Sequence, residues 1–517
     1  MKITLISTAT FPSDQGIRTI SSVLKNAGHD VKLVFMAYSE NYSQLYHENE
    51  LSQLLSICKD SQLIGINSFV STAPRAIQII KFLENKIKCP IVWGGIHATI
   101  SPNECIKDCN IVCVGEGEGA ILDLAKAVEK NKKINKIKNL WINTNNKIIK
   151  NPVRKLIDNL DKLPLPDYEI ETHYILENHY ILEHGKLRKF LEYDLGGQIF
   201  FLTGRGCPYG CDYCSNSLLN ELYKNKRKKI VRWHSVDYII KGILYLKNKF
   251  PSLSYFDIRD DTFSLRSLEN IKEFCEKYKE KVKMRFKCLG DPHTVSEEKI
   301  KLLVDAGCTD IIIGIQGSQR TNLEIYHRNQ IDEYVINAAN ILNKYKNKLA
   351  VMYDVITCNP YETPEDIINL IRLLQKLPKP YYLSVNNLVF FPGTKIYDRA
   401  KAEGRIKSKK DSAENLNYWD RSAHILLKRK NMYLNLILNL MRGSVTESRF
   451  GLMPNFLLNH LLEPERVKRN LKNPFPTLLF LKIVGISDLI RERIAKPFYR
   501  SLPVNFKAWY DKFRYRV

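Results

Sequence analysis

The chain has 517 residues, long enough for two to four domains, and its 44% hydrophobic and 26% charged residues are ordinary for a soluble globular protein. Its formal net charge of +24 at pH 7 is strongly positive. No secretory signal is expected, because the first apolar run, Ile3 to Ala9, is too short and lacks a cleavage-site pattern. No transmembrane helix is expected either, since the best candidate, Leu478 to Ile490, is short and interrupted by Lys482 and Asp488. We therefore expect a cytoplasmic protein, in which twelve cysteines indicate metal or redox chemistry rather than disulfides.

More than half of the positive excess lies in the last quarter of the chain. Residues 401 to 517 contain 24 Lys or Arg and 10 Asp or Glu. A basic region of this kind binds nucleic acid, an anionic membrane surface or an acidic partner, or is simply a solvated face. Composition alone leaves these alternatives open.

Residues 1 to 150 alternate short apolar runs with helical patterns. The run KITLIS at residues 2 to 7 predicts a first strand, and Ile17, Ile20 and Leu24 lie on one face of the helix predicted after it. The alternation predicts a doubly wound, flavodoxin-like parallel sheet, whose ligands bind in loops beyond the carboxyl ends of the strands. Four unusual loops at those ends predict a cofactor crevice: TATFPSDQG, SFVSTAP, GGIHAT and GEGEG.

Residues 151 to 190 are predicted to form a linker, because 156 to 169 combine acidic residues and prolines. Residues 191 to 410 are predicted to form six strand–helix units, a partial (β/α)6 barrel of the TIM type, with catalytic residues at the carboxyl ends of its strands. Residues 411 to 517 are predicted to be a helical, basic C-terminal region. The barrel strands are predicted at QIFFLTG, LSYFDI, MRFKCL, DIIIGIQ, AVMYDVIT and YLSVNNLVF.

The stretch GRGCPYGCDYC, residues 204 to 214, places Cys207, Cys211 and Cys214 just after the first predicted barrel strand. Three thiolates at this spacing can hold an iron–sulfur cube, and the glycines allow a tight loop around it. The fourth iron then stays open for a substrate or cofactor. A structural zinc site would need a fourth Cys or His nearby. Only His234 follows soon after, and we assign it to the turn before the next helix.

The other cysteines are interpreted as core or loop thiols. Cys105, Cys109 and Cys113 are evenly spaced, but the spacing is ordinary for a helix that leads into an apolar strand. The same interpretation applies to the remaining six: Cys58, Cys89, Cys275, Cys288, Cys308 and Cys358.

The run RGCPYGCDYC resembles the cluster loop of the radical S-adenosylmethionine (radical SAM) enzymes, specifically those with an N-terminal cobalamin-binding domain. The resemblance covers about residues 1 to 400 and includes the aromatic Tyr213 before the last Cys, for which it implies a cofactor contact. It implies that Cys207, Cys211 and Cys214 hold a [4Fe–4S] cluster whose open iron chelates S-adenosylmethionine. Reductive cleavage of that cofactor would release a 5′-deoxyadenosyl radical, which abstracts a hydrogen atom from the substrate.

Later stretches of the second domain are also similar to landmarks of that family. The resemblance implies cofactor contacts at Asp260, in RDDTF, and at Gln316, which stands where many relatives have Glu and would make an amide contact. The alternative for Asp260, Asp261 and Gln316 is a structural role, because polar residues at strand ends also cap helices. The turn NPYET replaces the commoner Pro-Gly-Glu-Thr.

In the first domain, INSFVST, VWGGIHAT and VGEGEG are similar to cobalamin-binding modules. The positions that match the nucleotide tail and corrin edge are Ser68, Thr72, Gly94, Gly95 and Gly115. Glycine suits such positions because, without a Cβ, its backbone can approach a large flat ligand.

Many cobalamin proteins carry Asp-x-His-x-x-Gly after the first strand, with a His that ligates cobalt from below. The loop TATFPSDQG has no His, so the lower ligand is predicted to be absent, water or another group. His29 and His97 are interpreted as structural residues.

The resemblance implies three cofactors: a [4Fe–4S] cluster, S-adenosylmethionine and cobalamin. The leading hypothesis is an enzyme that moves a methyl group from methylcobalamin to an unactivated carbon of a small-molecule or lipid-like substrate. A reducing partner such as flavodoxin or ferredoxin would supply the electrons. The alternatives are a cyclase or rearrangement enzyme without net methyl transfer, and a non-catalytic cobalamin sensor.

Nucleic acid is not expected as a partner, because the family that methylthiolates transfer RNA carries further cluster cysteines in its N-terminal domain. The C-terminal region is expected to close over the barrel. Its amphipathic stretches alternatively make peripheral contact with a membrane or dock a lipid.

Overall fold

The structure is a computed structural model. It describes residues 1 to 479 except 10, 11, 13, 38–43, 145, 146, 184–197, 227, 228, 414–429, 442 and 446–454. The described residues contain two large sheets, one in each half of the chain, and one small two-stranded sheet.

The first sheet has nine strands in the order β7-β6-β5-β4-β3-β1-β2-β8-β9. Strands β1 to β5 and β8 form its parallel part, and β6, β7 and β9 pair antiparallel at the two edges. Central strands of this kind are buried on both faces, which is why they appear in the sequence as continuous apolar runs. The strands are β1 Lys2–Ser7, β2 Asp30–Phe35, β3 Leu63–Asn67, β4 Ile91–Gly94, β5 Ile111–Cys113, β6 Leu140–Thr144, β7 Lys147–Lys150, β8 His173–Glu177 and β9 Tyr180–Glu183.

Helices cover this sheet, as the alternating pattern predicts. Asp14 caps the first of them, since its carboxylate accepts a hydrogen bond from the Ile17 amide at 3.4 Å. The doubly wound, flavodoxin-like fold predicted for this half is confirmed. The helices are α1 Gln15–Asn26, α2 Glu48–Cys58, α3 Ala73–Glu84, α4 Ile96–Ile100, α5 Pro102–Asp108 and α6 Glu118–Glu129.

The segment predicted as a linker, residues 151 to 190, is structured where it is described. Its strand β8 pairs in parallel with β2, and β9 extends the same edge. Asp167 anchors the segment: its buried carboxylate accepts a hydrogen bond from Ser21 Oγ at 2.5 Å and pairs with Lys25 Nζ at 2.8 Å. The described part of this segment is therefore not a free linker: β8 and Asp167 fasten it to the first domain, whereas Asp161 and Glu169 contact His234 and Lys249 of the second half of the chain.

The second large sheet has six parallel strands, β10 and β13 to β17, with β18 added antiparallel at one edge. This is the predicted partial barrel. The small sheet pairs β11 with β12 antiparallel beside the first barrel strand. The strands are β10 Gln198–Phe201, β11 Gly204–Arg205, β12 Arg232–Trp233, β13 Tyr255–Ile258, β14 Arg285–Gly290, β15 Cys308–Gln316, β16 Ala350–Thr357, β17 Tyr381–Asn387 and β18 Gly443–Val445.

Amphipathic helices cover the outside of the barrel. Thr363 and Asp366 form a capping box at the start of α12. Pro364 follows Thr363 at the first helical position, where a backbone N–H would have no partner within the helix. The helices of this half are α7 Ser215–Leu222, α8 Val236–Lys249, α9 Leu268–Lys277, α10 Glu297–Asp305, α11 Asp332–Asn343, α12 Pro364–Lys376 and α13 Lys395–Ala402.

The C-terminal region packs against the barrel. Its described helices are α14 Met432–Leu440, α15 Asn455–Leu461 and α16 Pro464–Lys472. The buried amide oxygen of Asn435 accepts hydrogen bonds from Thr357 Oγ1 at 2.6 Å and from the Cys358 amide at 3.0 Å, at the end of β16. None of the helices in the described ranges has the length and apolar character needed to cross a bilayer.

Candidate functional site

The cysteine loop leaves the barrel directly after β10 and β11 and ends at α7. Gly206 turns the chain at φ +93°, and a Cβ there would lie 2.3 Å from the Ile230 carbonyl oxygen, so only glycine fits. The Asn220 amide on α7 donates to the carbonyl oxygens of Cys207 and Tyr209, both at 3.1 Å. The loop is therefore shaped by the protein itself around its three thiols.

Cys211 is buried, and Cys207 and Cys214 are half-buried. Burial raises the pKa of Cys207 and Cys214 to about 12 and also raises that of Cys211. Thiolates at these positions require compensating positive charge, which bound iron supplies, so metal binding and deprotonation are coupled here. Across the described ranges, no three His, Cys, Asp or Glu side chains converge as ligands of one metal ion. In a [4Fe–4S] cluster each thiolate binds a different iron, so three separated thiols on a short loop fit that group.

Tyr213 belongs to this loop, and Arg328 lies beside it. The Tyr213 ring packs edge-on against Tyr326, with 4.7 Å between the ring centroids. The buried Arg328 guanidinium pairs with Asp291 and interacts with Cys211 and Tyr213. Burial lowers the Arg328 pKa, but these neighbours outweigh it and the net direction is upward. A permanent cation thus stands next to thiols that must ionise.

Asp260 does not line the cavity described below. Its buried carboxylate accepts hydrogen bonds from the backbone amides of Thr203 at 2.6 Å and Gly204 at 3.0 Å. Its Oδ2 also lies 3.6 Å from the Arg266 guanidinium. These bonds favour the structural alternative stated for Asp260, in which it holds the start of the cysteine loop, and its cofactor contact stays a prediction. Asp261 is the residue that lines the cavity described below, and burial raises its pKa.

Gln316 ends β15 at a register shift against β16, with φ +67°. Its amide lies close to the backbone of Gly314, where an added Cβ would come within 2.5 Å of Nε2. Gln316 does not line the cavity between the domains, so its predicted cofactor contact stays a prediction.

The three predicted glycines of the first domain lie together at the carboxyl ends of β4 and β5. Gly95 and Gly115 have φ of +96° and +87°. A Cβ would lie 2.2 Å from Asn67 Oδ1 at Gly95 and 2.0 Å from Tyr223 Oη at Gly115. Gly94 is different, because a Cβ there would meet only Cys113 Cβ, at 3.8 Å. All three line one cavity.

Ser68 and Thr72 lie behind this surface. Both are buried and neither lines the cavity. Ser68 Oγ accepts a hydrogen bond from Trp93 Nε1 at 2.9 Å, and Thr72 Oγ1 lies 2.9 Å from Thr8 Oγ1. In this structure the two hydroxyl groups connect the loop after β3 to the strands beside it, so direct ligand contact stays a prediction.

The loop after β1 carries no histidine. Asp14 holds its end, since its carboxylate accepts hydrogen bonds from Ser7 Oγ at 2.9 Å and Asn67 Nδ2 at 2.5 Å. His97 is buried beside Trp93. His29 lies 3.4 Å from the N-terminal amine, at the amino end of β1, whereas the loop follows the carboxyl end of that strand. Their interpretation as structural residues agrees with these positions.

One cavity of about 510 Å³ lies between the two domains. The first domain contributes apolar side chains and the glycines named above. The second domain contributes barrel residues and both flanks of the cysteine loop, through Gly204, Gly206 and Asn220. Apolar side chains and exposed glycine backbone suit the flat face and aromatic tail of cobalamin, so the chemistry of the lining fits this cofactor. The apolar side chains of the first domain that line the cavity include Leu5, Ile17, Ile20, Val92, Cys113, Ile121 and Leu140.

Four charged side chains join the domains across this cavity, and we call them the clasp: Glu116, Glu118, Arg205 and Arg232. Arg205 lies 3.2 Å from Glu116 and 2.7 Å from Glu118, and Arg232 lies 2.8 Å from Glu116. Burial raises the Glu116 pKa, but the two arginines outweigh it and the net direction is downward. The GEGEG loop, predicted only as a cofactor loop, thus also fastens the two domains together.

A second charged group lies inside the barrel. Asp257 is fully buried and accepts from Arg259 Nε at 2.7 Å, and Lys287 Nζ lies 2.9 Å away. Arg259 also lines the cavity. On β16, burial raises the pKa of Asp354, while Ser384, Arg259 and Lys287 act in the opposite direction. These groups give the barrel interior a polar surface for a substrate.

The sequence interpretation did not find the clasp, Arg328 or Arg259. His234 was assigned to a turn, yet it also lines the cavity, with Nδ1 3.0 Å from Asp161 Oδ1 and its ring stacked on Tyr238. Arg259 follows the end of a barrel strand, and this position could have marked it as a site residue. The ion pairs of the clasp join residues far apart in sequence, so they leave no local pattern.

The chain combines a glycine-lined crevice in one domain with a partial barrel in the other, and three thiols follow the first barrel strand. This combination is typical of two-domain, cofactor-dependent enzymes. Comparison with protein families agrees: the B12 binding domain matches residues 1 to 125, and the radical SAM superfamily matches residues 201 to 374. The chain belongs to the radical SAM proteins that carry a B12-binding domain. This membership confirms the predicted cofactors: a [4Fe–4S] cluster, S-adenosylmethionine and cobalamin.

Several curated proteins are similar. An uncharacterized methyltransferase, PH0819, from Pyrococcus horikoshii is 25% identical over 76% of this chain and 79% of its own length. Bacteriochlorophyllide d C-8(2)-methyltransferase from Chlorobaculum tepidum is 23% identical over 67% of this chain and 70% of its own length. Anaerobic magnesium-protoporphyrin IX monomethyl ester cyclase from Synechocystis is 24% identical over 38% of this chain and 37% of its own length.

Two solved structures share the fold. The radical S-adenosylmethionine methyltransferase TsrM from Kitasatospora setae superposes with a TM-score of 0.61 at 15% identity, covering 78% of this chain and 75% of its own. The cobalamin-dependent radical enzyme OxsB superposes with a TM-score of 0.57 at 17% identity, covering 95% of this chain and 75% of its own. At these identities the likeness concerns the fold alone.

Proposed function

We propose that the chain is a cobalamin-dependent radical SAM methyltransferase that methylates an unactivated carbon of a small-molecule or lipid-like substrate. One observation carries this proposal: a single cavity is lined by the glycines of the B12-binding domain and by both flanks of the cysteine loop. A methyl donor and a radical source bound at these two places would face the same space. The relatives with the longest matches among those described above are methyltransferases, which supports methyl transfer over other outcomes.

In this proposal Cys207, Cys211 and Cys214 hold the cluster, and Gly94, Gly95 and Gly115 receive cobalamin. When bound, the cluster and S-adenosylmethionine supply a carbon-centred radical and cobalamin supplies a methyl group. The chain itself contributes position and enclosure. The glycines let backbone approach the corrin, and the cysteine loop, fixed by Asn220, places the three thiols for the cluster.

The remaining site residues have positioning roles. Arg328 supplies a permanent positive charge beside Cys211, which favours the thiolate form needed for iron binding. The clasp fixes the distance between the crevice and the cysteine loop. Arg259 and Lys287, held by Asp257, are placed to orient a polar group of the substrate inside the barrel.

The partners follow from the same chemistry. Cluster reduction needs an electron donor, for which a flavodoxin or ferredoxin is the expected class, and a cytoplasmic location would supply one. The second candidate is a cyclase or rearrangement enzyme with the same cofactors, favoured only by the cyclase relative, whose match covers 38% of this chain.

An anaerobic assay tests the proposal. Cluster-reconstituted protein is incubated with hydroxocobalamin, S-adenosylmethionine and a strong reductant, and S-adenosylhomocysteine and 5′-deoxyadenosine are followed separately by mass spectrometry. We expect both products, with 5′-deoxyadenosine lost in Cys211→Ala. If 5′-deoxyadenosine forms without S-adenosylhomocysteine, even with a cell extract as substrate source, the methyltransferase proposal is wrong and the second candidate leads.

A further inference from the structure

The two most exposed large apolar side chains among the described residues, Phe456 and Phe475, lie in the C-terminal region, and Leu479 lies close to them in sequence. Phe456 is 71% exposed, Phe475 is 68% exposed and Leu479 is 51% exposed, all within 24 consecutive residues. Exposed apolar side chains are common when single, but several large ones together mark a contact surface. We call residues 455–479 the C-terminal docking segment.

The opposite side of this segment is firmly packed. Leu458, Leu462 and Val467 are buried and belong to the main hydrophobic core of the protein. Tyr433 on α14 donates a hydrogen bond from its hydroxyl to the Leu461 carbonyl oxygen at 2.9 Å. Because one side is fixed on the core, the exposed side presents its apolar groups in a defined direction.

Two of the exposed groups share a helical turn. Residues 475–479 are helical, and side chains four residues apart lie on the same face of a helix, so Phe475 and Leu479 form one apolar patch. Thr477 between them is buried. The patch therefore faces away from the core.

The same segment is basic. Lys468, Arg469 and Lys472 are exposed on α16, the helix between the two phenylalanines. From residue 464 to the end of the chain there are 13 Lys or Arg and only 4 Asp or Glu. Exposed Phe and Leu next to a cluster of cations match the chemistry of an anionic bilayer surface, with phosphates above and acyl chains below. An RNA would use the cations and the rings but gains little from the aliphatic Leu479.

We propose that the C-terminal docking segment binds the surface of a bilayer containing anionic phospholipids. Phe456, Phe475 and Leu479 enter the headgroup region, and Lys468, Arg469 and Lys472 meet lipid phosphates. This contact is peripheral and independent of the catalytic proposal. It would bring the barrel to a membrane face where a lipid-like substrate is available.

Vesicle co-sedimentation of the full-length, cluster-reconstituted protein tests this inference. The vesicles contain phosphatidylcholine alone or phosphatidylcholine with phosphatidylglycerol. We expect binding to the anionic vesicles only, weakening as salt rises. The double variant Phe456→Ser, Phe475→Ser should bind at least about tenfold more weakly, because binding removes both rings from water. The 410 nm absorbance of the cluster reports that each variant is folded.

Tyr180→Ser is the matched control, because Tyr180 is 61% exposed on β9 in the first domain, and it should bind as the unaltered chain does. The inference is overturned if anionic vesicles do not bind, or if the phenylalanine double variant binds them as well as the control does. Binding to a generic single-stranded RNA without any binding to vesicles would also overturn it and assign the segment to nucleic acid.

Discussion

Arg205 Nη2 lies 2.7 Å from Glu118 Oε1, and this contact joins the loop of the cluster cysteines to the crevice of the first domain. Glu118 begins α6, and Arg205 lies two residues before Cys207. The contact is largely enclosed, with exposed fractions of 26% for Arg205 and 8% for Glu118. Two cofactor sites built on separate sheets are thereby held at a fixed separation.

The first prediction concerns this contact. Arg205→Ala should lower the stability of the interface between the domains by about 2–4 kcal/mol, because it leaves Glu116 and Glu118 with less compensating charge. It should also weaken cobalamin binding, since the cavity is formed between the two domains. Equilibrium dialysis with hydroxocobalamin measures this. Glu118→Gln alone and with Arg205→Ala completes a double-mutant cycle, and additive effects would show that the two residues are not coupled.

The second prediction concerns the cluster. Cys211→Ala should lose most of the bound iron and the 410 nm absorbance after reconstitution, because two thiolates cannot hold the cube. Iron and sulfide analysis measures the loss. Cys275→Ala is the matched control, because Cys275 is also buried but lies in α9 outside the barrel. Equal iron content in the two variants would remove Cys211 from the site.

The third prediction distinguishes two reasons for glycine in the crevice: room for the ligand at Gly94, and a backbone conformation with positive φ at Gly95. Gly94→Leu should fold normally, because a Cβ there meets only Cys113 at 3.8 Å, but it should weaken cobalamin binding by about tenfold or more. Gly95→Ala should instead destabilise the domain, since its φ is +96° and a Cβ would collide with Asn67. Thermal unfolding and cobalamin titration of both variants provide the measurements. Unchanged cobalamin affinity in Gly94→Leu would show that the ligand does not occupy this cavity.

The fourth prediction compares two adjacent carboxylates. Asp260→Asn should cost about 3 kcal/mol of stability, because the buried Arg266 loses its countercharge. Asp261→Asn should leave the unfolding temperature within a few degrees of the original and reduce 5′-deoxyadenosine formation, because Asp261 faces the cavity. Calorimetry and the product assay distinguish them. The opposite result, a stable Asp260 variant with impaired turnover, would restore the original prediction for Asp260.

The fifth prediction is a pH dependence. Glu362 is buried beside Thr321, and burial raises its pKa to about 8 from an ordinary 4.5. A carboxyl group whose pKa is higher in the folded than in the unfolded protein contributes its full stability below pH 4.5. This stability is lost as the pH rises to about 8, and the loss in the free energy of unfolding is about 3–5 kcal/mol. Glu362→Gln keeps the acceptor for Thr321 and should flatten the fall in stability between pH 5 and 8. Urea unfolding at both pH values measures it, and parallel pH profiles would contradict this assignment.

Much of the fold was predictable because the strands are buried on both faces. KITLIS and LIGIN match β1 and β3 residue for residue, and the six barrel strands lie where apolar runs were found. The segment from residue 151 to 190 was interpreted as a linker because prolines and acidic residues are typical of linkers, although HYILE at residues 173–177 contains aromatic and β-branched residues that favour a strand.

The site residues were predictable where the spacing of residues in the sequence defines them. They were not predictable where contacts between distant parts of the chain define them. Cys207, Cys211 and Cys214 lie within eight residues, so their role follows from local sequence. Asp260 and Asp261 are neighbours, and only the direction of each side chain after β13 tells which one faces the cavity. Contacts across the domains have no local signature, because Glu118 and Arg205 are 87 residues apart.

The central claim is that cobalamin and the cluster face each other across the cavity between the domains. Electron paramagnetic resonance of protein-bound cob(II)alamin, recorded with the cluster oxidised and then reduced, tests it most directly. We predict that the cob(II)alamin signal relaxes faster when the cluster is reduced and paramagnetic, and that Cys211→Ala abolishes the change. A signal with the same relaxation in both states of an intact cluster would contradict the claim.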